Sequence, residues 1–335
     1  MDKTFVEKLK EQVICGKDIT YDDALRLSRA ELSLLASSAN EIRKHCCGNI
    51  CDVCSVISVK EGQCTENCKY CAQSAVSERH KTTVDRLGDD IVVKNALADE
   101  QKGSDRIGLV ASGRRLSKEE LVRGMKSLKD IQNNTDMSLC ASFGLLGYDD
   151  FKQLKACGLS MIHNNLETSP DYFPSVCTSH TQQQKKDTIR AAQSAGLKVC
   201  SGSLFGMGES IEDRIALAFE LKALGVDSVP MNVLNPRKGT PFCDKTPLTE
   251  EEYVRIVAIF RFVMPKVMIR LAAGRGRYAD NGEAALAAGA NAVISGDFLT
   301  TAGTSFETDL AMIKRQGFVV RGHSGQINRT RNNLK

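Results

Sequence analysis

Apolar positions along the chain fall into two alternating rhythms. Short β-branched or apolar runs recur at DVCSVISV (52–59), DRIGLVA (105–111), SLCAS (138–142), LSMIHN (159–164), LKVCSGSL (197–204), DSVPMN (227–232), VMIRLA (267–272) and NAVISG (291–296). They read as strands. Between most of them lie longer amphipathic stretches: SKEELVRGMKSLKDI, YDDFKQLKACG, QQQKKDTIRAAQSAG, SIEDRIALAFELKALG and TEEEYVRIVAIFRFVM. Apolar residues three and four apart lie on one face of a helix. Several of these stretches end in Gly just before the next strand, a helix C-cap pattern. Eight strands with intervening helices predict an α/β fold, a (β/α)8 TIM-type barrel of about 250 residues. A doubly wound open sheet is the rival, because periodicity does not reveal closure. The charged amphipathic start, MDKTFVEKLKEQV, predicts extra N-terminal helices outside the barrel. The expected organisation is a helical extension over 1–45, the barrel over 46–305, and a C-terminal helix with a basic tail over 306–335.

Composition changes this picture little. With 335 residues, 42% hydrophobic and 26% charged, the chain reads as an ordinary globular protein. No apolar run approaches the ~20 residues that span a bilayer, and the N-terminus has no signal-peptide pattern. A cytoplasmic protein without a membrane partner is expected. The net charge of +4 is small, and the basic end RGHSGQINRTRNNLK reads as a solvated tail. Trp is absent and aromatics are 5%, which argues against base-stacking platforms and a nucleic-acid partner. The thirteen cysteines matter more. The chain is too long for a small stapled domain, so metal or iron–sulfur ligation explains them better than a disulfide framework.

Cys64-Thr-Glu-Asn-Cys68-Lys-Tyr-Cys71 follows the first strand and falls on a βα loop, where barrel active sites lie. Three thiolates so close in sequence can wrap one corner of a cubane and leave one iron open. The alternative is a zinc knuckle, which normally wants a fourth Cys or His at regular spacing. None lies nearby downstream before His80.

The CxxxCxxC spacing, with an aromatic before the last Cys, resembles the signature of the radical S-adenosylmethionine (SAM) superfamily. SVKEGQCTENCKYCAQS, HNNLETSPDYF, GLKVCSGSLFGMGES, VPMNVLNPRKGTPF and RLAAGR resemble successive blocks of the biotin synthase family, over roughly residues 45–305. Hydrogenase-cofactor maturases share the triad, but the CAQS and RLAAGR segments favour biotin synthases. The resemblance implies a [4Fe–4S] cluster on Cys64, Cys68 and Cys71 that cleaves SAM, and conversion of dethiobiotin to biotin. It implies an auxiliary iron–sulfur cluster consumed as sulfur donor, a flavodoxin- or ferredoxin-type electron donor, and a homodimer. Another radical SAM enzyme of the same subgroup, a maturase or mutase, remains an alternative. So does a zinc-binding or electron-transfer module without SAM chemistry.

For the auxiliary cluster the family pattern points to Cys140, Cys200 and Arg270 on separate strands, with a further cysteine where this chain has Gly108. Cys54 stands where a small hydroxyl residue is usual, and Cys47, Cys51 and Cys54 repeat the triad spacing. The expectation is a relocated cluster, [2Fe–2S] or a 4Fe type, on Cys54, Cys140 and Cys200. Cys47, Cys51 and Arg270 are further candidate ligands. Regular alternation would turn Cys51 and Cys54 to opposite faces. The plain alternative for Cys46, Cys47 and Cys51 is buried packing. Cys15, Cys157, Cys177 and Cys243 read as structural.

Resemblance places Asn165 and Glu167 on the SAM ribose and Lys185 on its carboxylate, where the family has Arg. Lys keeps the charge without the bidentate fork. Ala111 and Ser112 would meet the methionyl end, and Tyr70 and Leu204 the adenine. Asn165 and Asn232 suit the ureido ring of dethiobiotin, since an amide both donates and accepts. Lys60 is a further substrate candidate, and Thr300 and Thr301 would meet the carboxylate tail. His163, where Asn is usual, reads as a strand-end residue.

Overall fold

The run expected at 52–59 becomes the longest strand, β1 (Ile50–Glu61), and the sheet closes on it. The computed structural model describes residues 3–62, 64–79, 83–297 and 303–320. The strands that follow are β2 (Val84–Asp85), β3 (Arg106–Ala111), β4 (Ser138–Ser142), β5 (Leu159–His163), β6 (Lys198–Cys200), β7 (Ser203–Phe205), β8 (Ser228–Val233), β9 (Met268–Leu271), β10 (Ala292–Ile294) and β11 (Val319–Val320). Parallel pairing runs β1–β3–β4–β5–β6–β8–β9–β10 and returns from β10 to β1, with Asp52 beside Ala292 and Cys54 beside Ile294. That last pairing makes a closed (β/α)8 barrel and removes the open sheet.

The run at 197–204 splits into β6 and β7, which share β8 as neighbour. At the break a Cβ on Gly202 would stand 2.1 Å from Pro230 O, so only glycine permits this approach of the two backbones. Outside the eight, β2 pairs antiparallel with the end of β1 and β11 parallel with its start.

The amphipathic stretches form helices at Lys118–Asn134, Tyr148–Ala156, Gln182–Ser194, Ile211–Ala223 and Glu250–Val263. Ser117, Thr181, Ser210 and Thr249 each start one by a capping box with the side chain three residues on. The helix Glu250–Val263 is buried from Ile256 to Val263 because α3 (Leu32–Cys47) covers its outer side. Ahead of α3 in the chain lie α1 (Lys3–Ile14) and α2 (Tyr21–Leu27). Among the described residues, no helix is long and apolar enough to cross a membrane.

One buried ion pair fastens the C-terminal helix Phe306–Arg315 to the barrel. Arg275 Nη2 lies 2.6 Å from Asp309 Oδ2, which also accepts from Ser295 Oγ at 2.6 Å. Removing one partner of such a pair leaves an uncompensated buried charge. Asp309→Ala is therefore expected to destabilise the fold by about 3–5 kcal/mol. Chemical denaturation checks this, and a loss below about 1 kcal/mol, the level of an exposed pair, would contradict it.

Candidate active site

From Glu61 the chain turns into the loop that carries the cysteine triad. Its backbone closes on itself: Cys64 N–H donates to Gln73 O at 3.0 Å, Cys71 N–H to Cys68 O at 3.1 Å, and Ala75 N–H to Glu66 O at 2.8 Å. The segment 176–180 grips it from the side. Asn67 Oδ1 accepts from the N–H groups of Thr178 and Ser179 at 2.9 and 3.0 Å, and Lys69 N–H donates to Val176 O at 3.0 Å. Cys64, Cys68 and Cys71 stand half-buried and line one cavity. Among the described residues their Sγ atoms are not gathered within the 4.8 Å that a single ion would require. Thiols spread along one wall fit a polynuclear cluster better than one zinc ion.

The cavity, of about 430 Å³, runs from this mouth into the barrel. Tyr70, Ala111, Ser112, Asn165, Glu167, Lys185, Leu204 and Asn232 line it, together with Cys54, Arg106, Gly108, Cys140, Cys200 and Arg270. Glu167 holds a left-handed backbone, with φ 70°. Its N–H donates to Gly202 O, its C=O accepts from Leu204 N–H, and its carboxylate accepts from Tyr70 Oη at 3.0 Å. Such conformations persist where the surroundings over-determine them, as at ligand clamps. Burial pushes the Glu167 carboxyl pKa up, while Lys185 and the Tyr70 hydrogen bond pull against it. Lys185 Nζ reaches Asn164 Oδ1 at 3.4 Å.

The substrate candidates fare unevenly. Asn165 Oδ1 accepts from Gly202 N–H at 3.0 Å. Asn232 uses both ends of its amide on backbone, donating to Ser203 O at 2.8 Å and accepting from Ala273 N–H at 3.1 Å, which leaves one N–H for a ligand. Lys60 is corrected: it is absent from the cavity lining, and its ammonium is held by Glu120 Oε1 at 2.6 Å. Thr300 and Thr301 lie outside the described residues, as does the basic tail.

Deeper in the barrel, strand alternation turns Cys54, Cys140 and Cys200 inward from β1, β4 and β6. All three are buried, and burial raises each thiol pKa, that of Cys54 to about 12. Gly108 sits beside Cys140 in register. A Cβ there would meet Val56 Cγ1 at 3.4 Å, an ordinary contact, so the missing side chain leaves usable room.

Two arginines share one carboxylate at this depth. Arg270 Nη2 donates to Asp52 Oδ1 at 2.5 Å and Arg270 Nη1 to Val293 O at 2.9 Å, while Arg106 Nη2 lies 3.8 Å from Asp52 Oδ2. Burial opposes the charge on Arg270, but Asp52, Cys54 and Cys200 raise its pKa overall. A guanidinium so held is a positive counter-charge for an anionic group. Arg106 Nε is buried with no partner among the described residues, a donor left for such a group.

The upstream cysteines are corrected. Cys51 faces away from the cavity into the main core, as its odd spacing from Cys54 demands. Cys47 Sγ lies against Pro265 O and accepts from Arg261 Nη1, both at about 3.3–3.4 Å, outside the cavity. Neither reaches the barrel interior. His163 lines the cavity; burial first, then Lys185 and Arg270, lower its pKa to about 4 and keep the ring neutral.

The sequence reading passed over Asp52 and Arg106 and took Cys177 as structural. The first two had a signal, a charge inside an apolar strand at the inward parity. Cys177 Sγ proves to lie 3.7 Å from Cys68 Sγ.

Residues 62–221 match the radical SAM superfamily model, and residues 230–319 match the biotin and thiamin synthesis associated domain. A biotin synthase of Brachyspira hyodysenteriae is 46% identical over 94% of this chain and 95% of its own length. One of Akkermansia muciniphila is 45% identical over 95% and 99%, and one of Clostridium botulinum 44% over 93% and 98%. Among solved structures, methylornithine synthase superposes with a TM-score of 0.82 at 19% identity, covering 95% of this chain and 99% of that one. The [FeFe]-hydrogenase maturase HydG gives 0.80 at 16%, covering 96% and 76%. At such identities these two speak for the fold.

Proposed function

This chain belongs to the biotin synthase family of radical SAM enzymes, which insert sulfur into dethiobiotin, and from that premise we propose which of its residues do the work. The family implies a [4Fe–4S] cluster, SAM and an electron donor. Cys64, Cys68 and Cys71 hold that cluster. Cys54, Cys140 and Cys200 hold the auxiliary cluster, with Arg270 and Arg106 as counter-charges. The room beside Gly108 favours a 4Fe type over [2Fe–2S]. One observation carries the assignment: a single cavity joins the triad at the mouth to three buried inward thiols.

When bound, these cofactors would supply radical chemistry for sulfur insertion at unactivated carbons. The chain's own residues bind and orient. Glu167 and Asn165 accept and donate at the SAM ribose, Tyr70 and Leu204 enclose the adenine, and Lys185 faces the carboxylate. Ala111 and Ser112 border the methionyl end. Asn165 and the remaining N–H of Asn232 address the ureido ring. The same reading includes a flavodoxin- or ferredoxin-type donor, a homodimeric assembly and a cytoplasmic location.

Anaerobic reconstitution with iron and sulfide, followed by dethiobiotin, SAM and reductant, is expected to yield biotin. Release of 5′-deoxyadenosine without sulfur incorporation would refute the assignment. Glu167→Ala removes a buried charge-assisted acceptor, so SAM affinity is expected to fall about 10- to 100-fold, or ~1.5–3 kcal/mol. Equilibrium binding checks this, and an unchanged affinity would take Glu167 out of the ribose site.

A further inference from the structure

Beside the triad lies a second group of ligand atoms, which shares Cys68 with it and adds two residues that the proposed function does not use. Cys68, Cys177 and His180 each offer one, and these lie within 4.8 Å of one another. Cys68 Sγ and Cys177 Sγ are 3.7 Å apart, and Cys177 Sγ and His180 Nδ1 3.3 Å. Tetrahedral zinc with bonds of about 2.3 Å to sulfur and ~2.0 Å to nitrogen sets sulfurs about 3.8 Å apart and sulfur from nitrogen about 3.5 Å. Both measured edges are close to those values. Cys177 and His180 are buried and fixed by the segment that grips the triad loop. Glu66 Oε2 stands 2.5 Å from His180 Nδ1 and also accepts from Ser179 Oγ at 2.8 Å.

We propose that in the cluster-free chain Cys68, Cys177 and His180 form a mononuclear site for a zinc-class divalent ion. Two thiolates and an imidazole are the donor set that such ions take. Binding releases the thiol protons and any proton on His180 Nδ1. Glu66 gives up its hydrogen bond from Nδ1–H when the ion takes that nitrogen, and turns to accept from a water that completes the fourth position. Because Cys68 belongs to both sites, the ion and the [4Fe–4S] cluster exclude each other. The exclusion rests on the proposed function; the ion site itself does not.

The test uses the full chain, stripped of iron and kept reduced under anaerobic conditions, with Co²⁺ as spectroscopic probe and Zn²⁺ as competitor. One Co²⁺ per chain is expected, with thiolate-to-cobalt charge-transfer absorption that Zn²⁺ abolishes. Cys177→Ala and His180→Ala are expected to weaken binding at least a hundredfold. Cys64→Ala and Cys71→Ala should leave it within threefold. Preloaded Zn²⁺ should slow cluster assembly at least tenfold in the wild type and leave assembly in Cys177→Ala unaffected. Cluster formation in that variant, through the intact triad, also shows that it folds.

Absence of Co²⁺ binding, undiminished binding in Cys177→Ala, or loss in Cys64→Ala or Cys71→Ala overturns the site. Equal slowing of both proteins by Zn²⁺ does so too. If no cluster forms on the wild type while the cobalt results hold, the cluster assignment fails and the ion site stands.

Discussion

Cys71→Ala protein, reconstituted with iron and sulfide, is expected to release 5′-deoxyadenosine at less than about a thousandth of the wild-type rate. That loss is on the order of 4 kcal/mol of barrier. Three thiolates cap three irons of a cubane and leave only the fourth open for SAM. Cys71 is tied into the loop by its own N–H bond to Cys68 O, so no other side chain takes its place. Iron content, visible absorption and chromatography of the nucleoside measure the effect together. Wild-type release from this variant would remove Cys71 from the radical site. Nearby Cys177 offers a particular check, since rescue by it would require the segment 176–180 to let go of the loop.

Cys140→Ala is expected to behave differently. Its thiol is buried in the barrel, in register beside Gly108. SAM cleavage should persist within a few-fold, while biotin formation falls more than about a hundredfold, ~2.7 kcal/mol or more. Iron per chain should drop toward the four of the triad cluster. Uncoupling of nucleoside release from sulfur insertion is the signature. Equal loss of both activities would instead place Cys140 at the radical site, and retention of both would make it a packing residue.

Much of the barrel was legible because its strands are apolar runs buried on both faces, and each is short enough to stand apart from the helices. Closure was not, since it depends on Asp52 meeting Ala292 across most of the chain. The triad was legible as a contiguous motif. Inward placement of Cys54 and exclusion of Cys51 both follow from a period of two, once β1 is known to be regular through Cys51. Cys47 failed because its helix, α3, ends outside the barrel. The Cys68–Cys177 contact had no local pattern, because the two residues are joined only through the fold. Lys60 misled for a simpler reason: Glu120 starts the helix after β3 and claims its charge.

The seam between β1 and β10 also sets a clock. Cys54 is made early and its partner Ile294 late. At ~5–20 residues per second, the roughly 240 residues between them take on the order of 10–50 s to synthesise. Throughout that interval the nascent sheet has an open side, and Cys54 and Cys140 stand on strands that nothing yet encloses. Once Ile294 pairs, the way to the deep thiols leads past Cys64, Cys68 and Cys71 at the mouth. On the cluster assignment proposed above, this geometry orders loading: the three deep thiols are filled before the triad cluster and SAM occupy the entrance.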